Sequence, residues 1–112
     1  MLWRVMEHNV PQQRLGGRDI ANLLSSGRRF RANALQVQIR DNGLDLARLG
    51  LIVPKRFLPS SVDRNKVKRH AREWFRVRQN ALKGKDVLVR LTGPWQSERL
   101  VSEELEHMGL PV

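Results

Sequence analysis

Apolar and polar positions along the chain follow two periods, and each period predicts one kind of element. Leu35, Val37 and Ile39 alternate with polar residues, and this period of two is typical of a strand with one buried face. Elsewhere apolar residues recur every three or four positions, which indicates helices packed on a core. The remaining elements predicted in this way are strands at about 45–54 and 86–91 and helices at about 18–26, 64–81 and 97–107.

Turn and capping residues set the expected limits of these elements. Gly27 and Gly109 follow helical patterns and are placed as C-terminal caps. The run Asp41-Asn42-Gly43 predicts a turn between strands, because Asn and Gly tolerate positive φ angles. Pro54 is expected at a strand end, because proline cannot donate into a ladder. Asp63 is expected to be the N-cap of the helix that follows it.

This order of elements predicts an α+β fold, an α/β sandwich in which helices pack on a small mixed sheet. The order is α-β-β-α-β-α, with room for one further strand near the second turn. A chain of 112 residues is long enough for one domain with a modest core and too short for two ordinary domains. We therefore expect a single domain over 1–112, in which residues 1–13 are irregular.

The helix predicted around residues 64–76 carries an apolar stripe beside a basic stripe. On a helical wheel, four apolar residues fall within one arc of about 100°, which is the width of a core-facing surface. They are Val67, Ala71, Trp74 and Phe75. Residues with cationic or amide side chains fill the neighbouring arc of about 140°, namely Arg64, Asn65, Lys68, Arg69, Arg72 and Arg76. Phosphate is the favoured target of this stripe, because guanidinium forks match its oxygens.

The basic stripe also has a simpler interpretation, a solvated surface without a partner. Glu73 is the only acid within residues 64–76, so i,i+4 ion pairs cannot balance this many cations. Asn65 adds a neutral donor and acceptor that suits a base edge or a ribose hydroxyl. Trp74 and Phe75 could stack on bases, but their helical spacing favours the core.

Charge composition favours a nucleic-acid partner over a membrane surface. The chain has 21 Lys and Arg against 11 Asp and Glu, a formal net charge of +10. The cations crowd the middle of the chain, whereas the segment 98–106 is acidic, and this asymmetry indicates a directed binding surface. An anionic membrane is a weaker match, because no long helix is both Lys-rich and bulkily apolar.

Missing residue types and segments exclude several classes of function. Cysteine is absent, which excludes disulfides and thiolate metal sites. No apolar run is long enough to span a membrane and no signal peptide precedes the first helix, so we expect a cytoplasmic protein. Catalysis would need converging carboxylates or a His-based acid and base pair. The acids and the three histidines are scattered along the chain, so no catalytic residue and no metal ligand is assigned.

An ordered block at residues 48–76 resembles a known family. Residues 48–56 read Arg-Leu-Gly-Leu-Ile-Val-Pro-Lys-Arg, and residues 64–76 read Arg-Asn-Lys-Val-Lys-Arg-His-Ala-Arg-Glu-Trp-Phe-Arg. These segments are similar to a strand of the form R-[LIV]-G-[LIV]-x-V-[SA]-K-K and a helix of the form R-N-R-x-K-R-x-x-R-E-x-F-R. Both belong to the protein subunit of bacterial ribonuclease P. The resemblance extends to the outer elements, and only the first dozen residues lie outside it.

The resemblance implies a small α/β domain that binds the catalytic RNA of ribonuclease P. That RNA carries out a Mg²⁺-dependent hydrolysis that releases the 5′ leader of precursor tRNA. The protein alone is then expected to bind no cofactor and to catalyse nothing, while the holoenzyme requires Mg²⁺. The resemblance also implies a left-handed crossover between two parallel strands, although such connections are right-handed in about 98% of cases.

Site residues follow from the same resemblance by position. The leader of precursor tRNA would enter a cleft between the sheet and the first helix, lined by Arg14, Ile20, Leu24, Phe30 and Gln38. The RNA subunit would be contacted by residues of the basic helix and of the loop before it, namely Lys55, Arg56, Arg64, Asn65, Lys66, Lys68, Arg69, Arg72 and Arg76.

The chain departs from the family pattern in three respects, one of which is Pro54, where the family usually has Ser or Ala and where a slightly altered strand end is expected. Lys66 stands where the family has Arg, which keeps the charge and loses bidentate geometry. Ile20, Leu24 and Gln38 stand where the family often has aromatic residues that stack on leader bases. We therefore expect leader binding to depend on charge and apolar contact. An rRNA-binding or general RNA-binding module remains the alternative function, and the oligomeric state is left open.

Overall fold

The computed structural model describes residues 15–95, 101–108 and 110, and its elements follow the predicted order. The further strand was expected near the second turn, but the fourth strand of the structure comes earlier, before the alternating strand at 35–41. The elements are helix α1 (Gly17–Ser26), strands β1 (Arg28–Ala32), β2 (Leu35–Asp41) and β3 (Arg48–Ile52), helix α2 (Ser61–Val77), strand β4 (Lys85–Leu91) and helix α3 (Val101–His107).

The four strands form one mixed sheet in the order β1-β2-β4-β3. Strand β2 pairs antiparallel with both β1 and β4, and among the described strands β3 and β4 form the parallel pair. That parallel pair is joined through α2, in agreement with the crossover that the resemblance implied. The α+β fold with helices on a small mixed sheet is therefore confirmed.

One face of the sheet carries the large apolar core, which α2 and α3 cover. The apolar stripe predicted on α2 is buried there, and Trp74 and Phe75 are only 3% and 4% exposed. Both rings therefore belong to the core, where burial of a large apolar side chain contributes about 1.5–3 kcal/mol. The sheet contributes Leu35, Val37, Ile39, Leu49, Val87, Val89 and Leu91 to the same cluster.

The opposite face of the sheet is covered by α1 through a smaller apolar cluster. Leu15, Leu23 and Leu88 are its buried members. The side-chain amide of Gln38 donates to the carbonyl of Leu23 at 3.0 Å, which ties the end of α1 to the sheet. The amide of Leu15 donates to the carbonyl of Leu49 at 3.1 Å, which ties the segment before α1 to β3. Polar contacts thus add to a modest apolar area in holding α1.

Both ends of α2 differ from the prediction. Ser60, not Asp63, is the N-cap, because its hydroxyl accepts a hydrogen bond from the Asp63 amide at 3.3 Å. Asp63 lies in the first turn, where its charge suits the positive end of the helix dipole. The helix ends at Val77 and does not reach residue 81, because the following turns bring Leu82 into the core.

The predicted boundaries at β3 and α1 need smaller corrections. Strand β3 covers Arg48–Ile52, shorter than the predicted 45–54, and Pro54 lies beyond its end. Gly27 does end α1, but its φ is −74°, so a left-handed cap is not formed. The glycine is required there by close packing, because a Cβ would lie 2.7 Å from Leu23 Cδ2. Predictions for residues 1–13, Arg14, residues 97–100 and Gly109 fall outside the described residues.

Candidate nucleic-acid interface

Helix α2 presents a basic surface on the side opposite the core. We call this surface the α2 basic face, and its residues are Arg64, Asn65, Lys66, Lys68, Arg69, Arg72 and Arg76. Its orientation follows from the buried stripe, because Val67, Ala71 and Trp74 fix which side of the helix meets the sheet. Arg69 is exposed, and the structure records no hydrogen bond or ion pair for it among the described residues. The predicted basic stripe is thus assembled on one helix.

Arg76 on this face is already engaged by an acid. Its Nε donates to Oε2 of Glu73 at 3.1 Å, and a second bond joins the same two side chains. This hydrogen bond and charge pairing lower the pKa of Glu73 and raise the pKa of Arg76. The i,i+3 spacing brings Glu73 within reach of Arg76, so this acid balances one cation of the stripe.

Arg64 is turned toward the loop that precedes α2. Its Nη1 donates to two consecutive carbonyls, those of Leu58 at 3.0 Å and Pro59 at 2.7 Å. The side chain is partly buried, unlike that of Arg69. Arg64 therefore joins α2 to the loop that precedes it.

The loop before α2 carries the two other cations predicted to meet the RNA subunit. Lys55 and Arg56 are both exposed and lie in a turn, in which the Phe57 amide donates to the Pro54 carbonyl at 3.1 Å. The Arg56 guanidinium lies over the Phe57 ring, 4.7 Å from its centroid. Because Arg64 holds this loop, Lys55 and Arg56 are linked to the first turn of α2.

The residues predicted to bind the leader are divided by the structure. Ile20 and Leu24 lie on α1, partly buried against the small apolar cluster. Gln38 faces the same way but is only 1% exposed, because α1 covers it and accepts its hydrogen bonds. Phe30 pairs with Val37 in the β1–β2 register, which places it on the opposite face of the sheet with the large core. Phe30 is therefore not part of the α1 side of the sheet.

The structure places a row of residues across the strands on the α1 side of the sheet, which the sequence pattern did not indicate. The register pairs Arg31 with Gln36, Gln36 with Arg90, and Arg90 with Ile52. We call these four residues the cross-strand row. The guanidinium of Arg31 donates to Gln36 Oε1 at 2.9 Å, while Nε of Arg90 is buried without a hydrogen-bond partner among the described residues. Recognition of β1 as a strand would have placed Arg31 on this face.

A buried charge network lies beneath the start of α1. Both carboxylate oxygens of Asp86 accept from Arg48 at 2.8 Å, and Asn42 donates to Oδ1 at 2.9 Å. The hydrogen bonds that Arg48 donates to Asp86 raise the pKa of Arg48. Arg48 Nη1 also lies 3.4 Å from Oδ2 of Asp19. Asp19 and Asp86 therefore have structural partners. Within the described ranges, no three His, Asp or Glu side chains meet as metal ligands would, and no helix is long and apolar enough to cross a membrane.

Relatives of the chain were identified by sequence. Residues 12–108 match the profile of the Ribonuclease P family. The ribonuclease P protein component of Chromobacterium violaceum is 52% identical over 64 residues, which are 56% of this chain and 53% of the relative. The protein of the same name from Nitrosococcus oceani is 38% identical over 71 residues, or 63% of this chain and 60% of the relative. The chain thus spans little more than half the length of these curated relatives.

Solved structures show the same fold. The RNase P protein of Staphylococcus aureus superposes with a TM-score of 0.73 at 29% identity, covering 86% of this chain and 91% of that chain. The RNase P protein of Thermotoga maritima superposes with a TM-score of 0.60 at 34% identity, covering 84% of this chain and 81% of that chain. Together with the profile match over residues 12–108, these likenesses show that the chain belongs to the Ribonuclease P family.

Proposed function

We propose that this chain is the protein subunit of ribonuclease P and that it binds the catalytic RNA through the α2 basic face. The observation that carries the proposal is the anchoring of that face. Trp74 and Phe75 are buried beneath α2, so its cations point away from the core as a fixed array. Lys55 and Arg56 extend the array at the start of the helix.

Contacts of this kind make binding strongly dependent on salt. Each phosphate that the protein neutralises releases counterions. Each such contact therefore adds about −0.7 to −0.9 to the slope of log affinity against log salt concentration. With about five such contacts, the slope should be about −4. Arg69 and Lys68 are suitable contributors, while Arg76 contributes less as long as Glu73 pairs with it. Asn65 is exposed and supplies an uncharged contact.

The precursor tRNA is the second proposed partner, bound through its leader on the α1 side of the sheet. Ile20 and Leu24 offer apolar contact there, and Arg31 and Arg90 of the cross-strand row offer charge. None of these four residues is aromatic. Stacking on an aromatic ring contributes about 1–3 kcal/mol per base, so leader binding depends mainly on charge and apolar contact. Arg14 remains a further proposed contact, whereas Gln38 serves to hold α1.

The proposed holoenzyme relies on its RNA for chemistry and on Mg²⁺ as the metal of the reaction. Asp19 and Asp86 are engaged by Arg48, so neither is proposed to hold that ion. The protein's part is to bind and position both RNAs. A cytoplasmic location stays a prediction from the sequence.

The deciding experiment is cleavage of precursor tRNA by a bacterial ribonuclease P RNA at low Mg²⁺. We expect correct release of the 5′ leader only when the RNA and this protein are both present, and no cleavage with the protein alone. The double variant Lys68→Ala/Arg69→Ala tests the α2 basic face, and it should no longer stimulate cleavage of the precursor tRNA. Folded protein that does not stimulate cleavage would contradict the proposal and favour a general RNA-binding or rRNA-binding module.

A further inference from the structure

We propose that Arg64 acts as a positioning residue for the loop that carries Lys55 and Arg56, and does not act as a phosphate contact. This inference rests on the proposed function, because it concerns how the protein presents cations to the RNA subunit. It also changes the expectation drawn from the sequence, in which Arg64 contacts RNA directly.

Two consecutive carbonyls of the loop accept hydrogen bonds from this one side chain. The Arg64 guanidinium donates to the carbonyls of Leu58 at 3.0 Å and Pro59 at 2.7 Å, whereas the Arg64 backbone amide makes the first helical bond, to the N-cap carbonyl of Ser60. A single Nη1 atom makes both side-chain bonds, so both of its hydrogens are committed to the loop. Moving the guanidinium outward to a phosphate would leave these carbonyls without a partner.

The contacts of Arg64 reach Lys55 and Arg56 through a short turn. The Leu58 amide donates to the Lys55 carbonyl at 3.2 Å, so the residue held by Arg64 is itself bonded to Lys55. The Leu58 side chain is 4% exposed and packs in the large core, which anchors the turn on its inner side. Arg64 secures the outer side. With both anchors in place, the exposed side chains of Lys55 and Arg56 keep a fixed position beside α2.

A double-mutant cycle on RNA binding separates the two roles. Affinity for the ribonuclease P RNA is measured by filter binding over a range of salt concentrations, for the wild type, Arg64→Ala, Lys55→Ala/Arg56→Ala, and the triple variant. Lys55→Ala/Arg56→Ala should lower affinity about tenfold or more by removing two cations. Arg64→Ala should cost about tenfold in the wild-type background and less than about twofold when Lys55 and Arg56 are absent.

Arg69→Ala is the matched control, because Arg69 lies on the same helix and makes no recorded contact with the loop. Its effect should be the same in both backgrounds, since independent sites add. Equal costs of Arg64→Ala in the two backgrounds would overturn the proposal and make Arg64 a direct contact. If Lys55→Ala/Arg56→Ala has no effect on binding, the proposal also fails. Wild-type protein that does not bind the RNA at all would instead contradict the proposed function.

A second readout needs no RNA. Amide hydrogen exchange at Phe57 and Leu58 reports the loop directly, because both amides are hydrogen-bonded within the turn. Arg64→Ala should speed exchange at these amides while the exchange of β4 stays unchanged. Arg64→Lys, which keeps the charge and loses the fork, is measured beside it. If both variants show faster amide exchange in the loop together with lower affinity for the RNA, the positioning role of Arg64 is supported. If the loop exchanges faster while the affinity stays at the wild-type value, the positioning role is overturned.

Discussion

The two faces of the sheet are stabilised by different chemistry. Under α2 and α3 the buried residues are apolar, and Val37, Ala71 and Leu105 are at most 1% exposed. Under α1, the apolar cluster has three buried members among the described residues. Gln38 and Asp86 lie buried on the same face, and both are hydrogen-bonded. Apolar packing is not directional, whereas a buried amide or carboxylate stabilises only one arrangement.

This difference matches the two proposed binding roles. Helix α2 rests on the larger apolar area, so its basic face is a rigid surface, as the proposed contact with the RNA subunit requires. Helix α1 is held largely by single polar contacts, from Gln38 to Leu23, from Arg48 to Asp19 and from Arg29 to the Leu24 carbonyl at 3.1 Å. Segments with few buried apolar contacts open at the lowest free energy. We therefore expect α1, one wall of the proposed leader cleft, to move more easily than α2.

Removal of the buried carboxylate under α1 should have the largest effect on stability. Asp86 is 0% exposed, and Asp86→Ala leaves Arg48 in a partly buried site without its main partner. The expected loss in the free energy of unfolding is about 3–5 kcal/mol, measured by urea denaturation. That loss is a large fraction of the roughly 5–15 kcal/mol available to a small domain.

The control for this variant is Asp41→Ala, which removes an exposed ion pair with Lys85. Exposed pairs contribute little, so the urea midpoint should stay close to that of the wild type. If Asp86→Ala and Asp41→Ala had equal effects, the network under α1 would stabilise the fold no more than a surface pair. The distinction between the two faces would then lose its main support.

Equal truncations on the two faces compare them directly. Leu91 lies in the large core at 2% exposure, and Leu23 lies in the small cluster at 0%. We expect Leu91→Ala to cost about 3–5 kcal/mol and Leu23→Ala about 2–3 kcal/mol, because α1 can shift to fill part of its cavity. Urea denaturation gives both values. In Leu23→Ala, amide exchange should become faster in α1 than in the sheet, and Leu91→Ala should show no such difference. If exchange became faster throughout the protein in both variants, α1 would not loosen independently of the sheet.

The face under α2 could be predicted from the sequence because its residues repeat with a fixed period. Val67 and Trp74 fall on one helical stripe, and Val37 alternates along a strand. Apolar periodicity needs no knowledge of distant partners, so it identified both the core and the opposite basic face. The same periods and the turn residues gave the order of elements, and the resemblance at residues 48–76 added the crossover between the parallel strands.

The face under α1 was predicted less well because its interactions are specific and distant in sequence. Gln38 was expected to meet the leader because the resemblance places it where the family often has an aromatic residue. Its partner is instead the carbonyl of Leu23, a helix residue that no periodicity connects to it. Strand β1 was missed because Arg28–Ala32 has little apolar alternation, and Phe30 was therefore assigned to the wrong side of the sheet.

The amide that holds α1 gives a prediction of intermediate size. Gln38→Met keeps the volume of the side chain and removes its hydrogen bonds to Leu23 and Gln36. We expect a loss of about 1–3 kcal/mol in the free energy of unfolding, because the buried Gln36 amide loses its acceptor. Urea denaturation measures this loss, and Leu35→Met in the large core, which also keeps the side-chain volume, is a control for the change to methionine. A Gln38→Met variant as stable as the wild type would show that apolar contact alone holds α1.

The smallest effect concerns the outer side of α2, where Glu73 pairs with Arg76. Both side chains are largely exposed, so Glu73→Gln should leave stability nearly unchanged. The free guanidinium should instead raise affinity for the ribonuclease P RNA by about two- to fivefold at low salt and steepen the salt slope. Glu103→Gln, an exposed change on α3, is the matched control and should have no such effect.

The pH dependence of the same pair follows from the lowered pKa of Glu73. At pH values above 4.5, the ordinary pKa of glutamate, the pair contributes its full stabilisation. This contribution is lost as the pH falls through the lowered pKa that Glu73 has in the folded protein. At neutral pH the carboxylate therefore stays charged and keeps Arg76 engaged. The difference in affinity between the wild type and Glu73→Gln should be constant from pH 6 to 8. A difference that changed over this range, or an affinity lowered by Glu73→Gln, would place Arg76 outside the RNA-binding surface, and the rigid face of α2 would then end before its last turn.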